Sequence, residues 1–539
     1  MQKSVTEKLT GGEAAVKSLH KHKISTLFCI PGVQNDWFFN ALYDLGDGIR
    51  VIHTRHEQGA AYMAMGYAQA SGEVGMFSVV PGPGLLNASA ALATAYALNA
   101  KVFCLTGQIP SQAIGKKLGV LHEINNQLDI LKSLTKHADR ANCPDDVPRM
   151  IDEGFRQMHS AMPRPVALEI PMDILAAKAM VNISGDIAPG YQPPVDHQQL
   201  AAAAQLLGQA KRPMIFVGSG AQDVSAQITE LANQLQAPVI GYRTGKGILD
   251  ARHYLSLQQP AAKDYWMQAD VIIAVGTNMR VPVQKWAKQH LPKIIRIDVD
   301  PSSHNKFIKP ALAITAQAQQ ALPLLLEQLA HCNIERPSRE SEMTKIRSDW
   351  DKKVSVLDPQ MSYLKIIREE LGEDGIFVDE LTQIGFASRI AYPAYKPRTY
   401  ITTGYQGTLG YGFQTAIGVK VARPDVPVIS VCGDGGFMFG VQELATAVQH
   451  KIPVCVLLFN NNQYGNVQEM QRNDYDGRVI ATDLHNPDFI VMAASFGAQA
   501  IRANNFDELR SAIRASQKVD VPTIIEIPVG DMPSVNQFR

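Results

Sequence analysis

The chain has 539 residues, with 51 acidic and 51 basic side chains and 46% hydrophobic residues. A neutral balance excludes a partner held by bulk electrostatics, such as nucleic acid or an anionic membrane surface. The length exceeds what one hydrophobic core supports and points to about three domains.

No run reaches the length of a transmembrane helix, and the start MQKSVTEKLTGGEAA lacks the apolar core of a signal peptide, so a cytoplasmic location is expected. The six cysteines, at 29, 104, 143, 332, 432 and 455, form no CxxC pair. Several lie in apolar strand-like runs, and buried free thiols are expected rather than disulfides or zinc ligands.

In chain order, residues 1–185 alternate helix and strand patterns. Thr10 to His20 reads as helix, Thr26 to Ile30 as strand, Trp37 to Asp44 as helix and Arg50 to His53 as strand. An Ala- and Gly-rich helix follows at Glu57 to Ser71, then strands at Gly75 to Val80 and Val102 to Thr106 separated by an Ala-rich helix. Such alternation argues for a parallel sheet covered on both faces. Ile183 to Asp196, with glycine and prolines, reads as a linker.

Residues 197–335 repeat the pattern, with strands at Pro213 to Val217, Val271 to Val275 and Ile294 to Val299. The turn Gly218-Ser219-Gly220 is an incomplete dinucleotide fingerprint and reads as a structural turn. Residues 336–358 are charged and poorly periodic and read as a second linker. Residues 360–530 form a third α/β unit. The expected fold is therefore α/β, with three doubly wound parallel-sheet domains.

The third unit carries the densest chemistry. Val428 to Cys432 reads as a buried strand that runs into Gly433-Asp434-Gly435-Gly436. A helix is predicted next, with Leu444, Ala445 and Val448 on one face and Glu443 exposed. A second buried strand, Val454 to Phe459, ends in Asn460-Asn461-Asn462. Adjacent parallel strands would place Asp434 and Asn461 side by side at their C-terminal ends, where open α/β sheets bind ligands. A carboxylate, an amide oxygen and a nearby carbonyl are hard ligands suited to Mg²⁺. The N–H groups of Gly435 and Gly436 at a helix start suit a diphosphate. By itself, Gly-Asp-Gly is also a common turn.

GDG followed by NN at this spacing resembles the signature of thiamine-diphosphate enzymes. The whole chain resembles the acetolactate synthase, benzoylformate decarboxylase and pyruvate decarboxylase superfamily, closest to acetolactate synthase large subunits. In that superfamily the three units are pyrimidine-binding (here 1–185), central Rossmann-like (197–335) and diphosphate-binding (360–530). Arg55-His56-Glu57-Gln58-Gly59-Ala60-Ala61, Ser78 to Asn87 (SVVPGPGLLN), Thr106 to Pro110 and Thr403 to Phe413 (TGYQGTLGYGF) carry the resemblance.

The resemblance implies that Glu57 contacts the aminopyrimidine ring and controls its protons. Taken alone, Glu57 is also an acid favoured at a helix N-terminus. Leu409 would lie under the folded cofactor, with the Gly407 carbonyl and the Leu409 N–H reaching the pyrimidine. Gly433, Gly435, Gly436, Asn87 and Gln463 complete the cofactor contacts. Asp434, Asn461 and the Gln463 carbonyl would hold Mg²⁺. Leu409 could equally be plain core, but glycines at 404, 407, 410 and 412 favour a site.

Around the substrate the matches diverge. Val33 and Gln34 follow Pro31-Gly32, where pyruvate decarboxylases carry an acid and benzoylformate decarboxylases a serine. Val467 replaces the catalytic glutamate of pyruvate decarboxylases and matches acetolactate synthases. Met470 stands where acetolactate synthases carry a tryptophan that shapes the acceptor pocket. His122-Glu123 fall on a segment that carries catalytic side chains in relatives; His122 is a candidate proton relay, and Gln34 and Glu123 are further catalytic candidates. The other reading of His122-Glu123 is a surface pair on a loop.

The segment Ser256 to Ala269 is short for a flavin-binding relative, so no FAD is expected. The implied reaction is decarboxylation of a pyruvate-like 2-oxo acid, with ligation of the remaining fragment to a second carbonyl. The alternative is a decarboxylase or hydroxyketone/aldehyde lyase with a larger donor. A non-catalytic cofactor binder would not need Glu57. The family design implies a homodimer at least, and a tetramer is expected.

Overall fold

The computed structural model describes residues 5–183 and 187–538. Three six-stranded sheets, each parallel throughout, follow one another along the chain, with helices packed on their faces. In the N-terminal sheet the order across the sheet is Arg50–His53, Thr26–Cys29, Gly75–Val79, Val102–Gln108, Val166–Pro171, His137–Arg140. In the central sheet it is Ser256–Leu257, Val239–Gly241, Pro213–Val217, Val271–Val275, Lys293–Asp298, Leu312–Thr315. In the C-terminal sheet it is Tyr400–Ile401, Ile376–Val378, Val428–Gly433, Cys455–Asn460, Thr523–Pro528, Gln499–Arg502. An antiparallel ribbon, Val5–Thr10 against Lys178–Ile183, joins the two ends of the first unit.

The middle strands are buried along almost their whole length because helices cover both faces, which explains their continuous Val, Ile and Leu runs. Each sheet reverses its winding at an interior point, and the two outer sheets turn back again at one edge, where the last strand inserts inside the one before it. In the C-terminal sheet the reversal falls between Ile376–Val378 and Val428–Gly433, so the crevice there is bordered by the residues after Val378 and after Gly433.

The first and third units meet through two helices, Glu57–Ser71 and Tyr411–Ala422. Their small residues have a steric reason. A Cβ on Gly66 would sit 2.2 Å from the Thr415 carbonyl oxygen, and one on Gly418 would sit 1.9 Å from that of Met63. Tyr62 Oη and Thr408 Oγ1, 2.7 Å apart, tie the same contact to the loop before Tyr411.

Two expectations need correction. Residues 336–358 are not a plain linker, because Glu340–Val354 is a fifteen-residue helix. Its buried Met343, Trp350 and Val354 recur at spacings of seven and four, too sparse among charges to read as an amphipathic stripe. The Trp350 indole N–H donates to the Ile390 carbonyl at 3.1 Å and pins the helix to the third unit.

Glu443 is also not exposed. It opens the helix Glu443–Gln449 and is fully buried. Of the segment read as a first linker, Ile183 ends a strand, residues 184–186 lie outside the described residues, and 187–196 carry no regular structure.

All six cysteines are free. Four are buried, whereas Cys143 is exposed and Cys332 partly so. Among the described residues no helix is long and apolar enough to cross a membrane.

Candidate active site

A cavity of about 620 Å³ opens at the reversal point of the C-terminal sheet. That is the size of a cofactor or small-molecule site. Strand Val428–Gly433 delivers Asp434, Gly435 and Gly436 to it, and the neighbouring strand Cys455–Asn460 delivers Asn461 and Gln463. Gly407, Leu409 and Val467 also line it. Leu409 is thus half-buried on a cavity wall rather than plain core.

Asp434 is buried, and burial raises its carboxyl above the usual range despite a 2.7 Å hydrogen bond donated to Oδ2 by Asn486 Nδ2. Asn486 also reaches the side-chain oxygens of Asn460 and Asn462, each at 3.1 Å. It therefore binds the two strand ends together and aims the carboxylate. Sequence reasoning missed it, since it stands 52 residues after Asp434 in a loop with no motif. One carboxylate, one side-chain amide oxygen and one backbone carbonyl form a hard donor set that fits Mg²⁺. The glycine N–H groups beside them fit a diphosphate.

Leu409 is held in place from below. Gly410 has φ +77° and a Cβ there would strike Phe439 at 2.5 Å, so only glycine suits the turn. Its N–H donates at 2.8 Å to Oε1 of Glu380, a fully buried carboxyl that burial pushes up to about 7. Glu380, in the sequence VDELTQ, is a second residue the motifs did not mark.

Glu57 is the first residue of its helix and is partly buried, with Asn87 Nδ2 donating to Oε2 at 3.0 Å. The start of that helix is gripped by the third unit. The Glu443 carboxylate accepts the His56 N–H at 2.9 Å, the Arg55 N–H at 3.2 Å and the Thr446 hydroxyl at 2.7 Å. Burial nonetheless pushes Glu443 up to about 7.

Because its pKa in the fold is raised, the stability Glu443 contributes through its proton is complete below about 4.5. It is lost as pH rises towards 7. Glu443→Gln, whose amide can donate to Thr446 and accept from His56, is expected to flatten this part of the pH dependence. Chemical denaturation across that window checks it.

His122 Nδ1 lies 3.1 Å from Gln34 Oε1, and Gln34 Nε2 donates to the Leu121 carbonyl at 3.2 Å. The two residues therefore form one unit, with Gln34 buried and His122 partly exposed at φ +67°. Glu123 is spent on its own turn, where it accepts the Gly119 N–H at 2.7 Å and the Val120 N–H at 3.2 Å. The geometry thus assigns Glu123 to loop structure rather than to a pairing with His122.

Among the described residues, none before Leu381 lines the cavity. Within one chain Glu57, Asn87, Val33, Gln34, His122 and Glu123 lie outside it, and Val33 is 53% exposed. Met470 is also outside it and is 47% exposed.

The central sheet has a smaller cavity, about 240 Å³, at its own reversal point. There Gly218 and Gly220 are explained by close contact with Gly276, since Cβ atoms on them would lie 2.5 and 2.8 Å from its atoms.

A three-sheet α/β chain with Asp434, Asn461 and the strand-end glycines lining one crevice defines a class of cofactor-dependent enzymes. Comparison with known families gives the class its name. Residues 9–132 match the N-terminal TPP binding domain of thiamine pyrophosphate enzymes, 200–325 the central domain and 382–527 the C-terminal TPP binding domain. The chain belongs to the thiamine pyrophosphate enzymes.

It is 33% identical over 531 residues to the probable 2-ketoarginine decarboxylase AruI of Pseudomonas aeruginosa, covering 96% of this chain and 94% of that one. It is 32% identical to a probable acetolactate synthase large subunit of Methanocaldococcus jannaschii, covering 97% and 92%. It is 31% identical to the acetolactate synthase isozyme 3 large subunit of Escherichia coli, covering 94% and 92%.

Proposed function

We propose that this enzyme decarboxylates a 2-oxo acid with thiamine diphosphate and Mg²⁺ and joins the remaining fragment to a second carbonyl, as acetolactate synthases do. The observation that carries the reading is the single cavity holding Asp434, Asn461, Gln463, Gly435, Gly436 and Leu409. When bound, the cofactor supplies the electron sink that lets CO₂ leave.

The chain's own residues do the rest. Asp434, the Asn461 amide oxygen and the Gln463 carbonyl would hold Mg²⁺, and the glycine N–H groups would hold the diphosphate. Leu409, backed by Glu380, would support the cofactor. Glu57, oriented by Asn87, would hold or move a proton on the aminopyrimidine. His122, oriented by Gln34, is placed as a proton donor or acceptor for the substrate.

That none of the described residues before Leu381 lines the cavity supports a shared site. In that reading the Glu57 half comes from a second copy of the chain, so a dimer is the minimum and a tetramer fits a closed assembly.

A second reading is release of an aldehyde from a donor larger than pyruvate. The polar wall formed by Gln383, Glu469 and Arg472 favours it, as does the likeness to a relative named for 2-ketoarginine.

Product analysis separates the two. The protein is given thiamine diphosphate, Mg²⁺ and either pyruvate or a larger 2-oxo acid, and products are identified by mass spectrometry. A 2-hydroxy-2-alkyl oxo acid supports ligation, whereas free aldehyde with pyruvate inert supports the second reading. No CO₂ from any donor overturns both.

Asn486→Ala is expected to weaken Mg²⁺ binding ~10–100-fold, the range for a partner that orients a metal ligand. A Mg²⁺ titration of thiamine-diphosphate binding reads it.

A further inference from the structure

Two acceptors on the cavity wall have no part in holding Mg²⁺ or diphosphate. Glu469 lies on the helix Gly465–Asp474, two residues beyond Val467. Among the described residues its carboxylate has one hydrogen-bond partner, Gln383 Nε2 at 3.2 Å, and no ion pair. Gln383 starts the helix after strand Ile376–Val378, and its amide oxygen is buried without a donor.

The basic group on the same wall is already engaged. Arg472 donates from Nη1 to Asp531 at 3.3 Å and from Nη2 to Gln468 at 2.8 Å. The Glu469 carboxylate is only partly buried and its one direct partner is a neutral amide, so it is open to a cationic ligand. Beside it an amide oxygen waits for a donor. A guanidinium or ammonium answers both, since each brings positive charge and several N–H groups, and the planar guanidinium matches a carboxylate with two parallel bonds.

We propose that Glu469 and Gln383 form the subsite for the distal end of the donor, so the donor is a 2-oxo acid with a cationic side chain. The assignment rests on the decarboxylation reading above and adds the substrate class.

The test compares 5-guanidino-2-oxopentanoate with its neutral isostere 5-ureido-2-oxopentanoate and with pyruvate, measuring kcat/KM for CO₂ release by the holoenzyme. Wild type should prefer the guanidino donor over the ureido donor ~10–100-fold, the span of one hydrogen bond to a charged group. In Glu469→Gln that ratio should fall towards one, mainly through KM for the guanidino donor, while thiamine-diphosphate binding shows that the site is intact. If that variant does not fold, Gln383→Leu, which removes the amide that holds Glu469, should lower the same ratio.

Equal use of the two larger donors by wild type, preference for pyruvate, or a ratio that survives loss of the Glu469 charge overturns the assignment while leaving decarboxylation standing. No CO₂ from any of the three donors overturns the underlying reading as well.

Discussion

Asp434→Ala is expected to abolish cofactor binding and activity, with a loss above ~100-fold, the upper end of what removal of a mere outer partner costs. The reason is charge. Of the three groups proposed to hold Mg²⁺, the Asn461 amide and the Gln463 carbonyl are neutral, so Asp434 brings the only protein charge to a cation that must also hold a diphosphate. Its position is over-determined: a strand end delivers it, and Asn486 fixes one carboxylate oxygen at 2.7 Å.

The cost of keeping that carboxylate is visible in the fold, where burial raises it above the usual range. Asp434→Asn, which keeps the shape and drops the charge, should therefore lose cofactor binding while the cofactor-free protein melts no lower than wild type. Isothermal titration with thiamine diphosphate and Mg²⁺ gives the first quantity, and thermal unfolding without them gives the second. Full binding by either variant would remove Asp434 from the site.

Glu57→Gln is expected to lower kcat ~10²–10⁴-fold, the range for a positioned acid–base group, while cofactor binding changes little. Asn87 should still bond the glutamine oxygen, so the defect should lie in proton control rather than in shape.

The pair of variants also tests the shared site. Co-expressed Glu57→Gln and Asp434→Ala chains form mixed dimers. If each site combines the Glu57 half of one chain with the Asp434 half of another, one site in every mixed dimer is intact. A random mixture of dimers then regains about a quarter of the wild-type activity. If both halves serve the same chain, mixing restores nothing.

The structure bears on what the sequence could carry. The three sheets were legible because parallel strands covered on both faces leave continuous apolar runs, as at Val271–Val275 and Cys455–Asn460. Asp434 and Asn461 were legible because each follows a strand directly, and adjacent parallel strands bring consecutive C-terminal ends together. Neighbour relations along the chain therefore determined that half of the site.

Other features depended on contacts distant in sequence. Glu443 reads as a surface acid on its own helix and is buried only because Arg55 and His56, nearly four hundred residues earlier, place their N–H groups against it. The helix Glu340–Val354 is held by contacts distant in sequence, with Met343 in the central core and Trp350 and Val354 in the core of the third unit.

By itself, then, the sequence determined the three-unit fold, the strand-end residues and, by resemblance, the thiamine-pyrophosphate family, since these depend on local periodicity and short motifs. Only the tertiary structure decided that Asn486 aims Asp434, that Glu380 supports the turn behind Leu409 and that Glu469 and Gln383 meet on one wall. It also decided that the Glu57 half stands apart from the cavity of its own chain. Burial and hydrogen bonding join residues by distance in space, and no period or spacing along the chain encodes that distance.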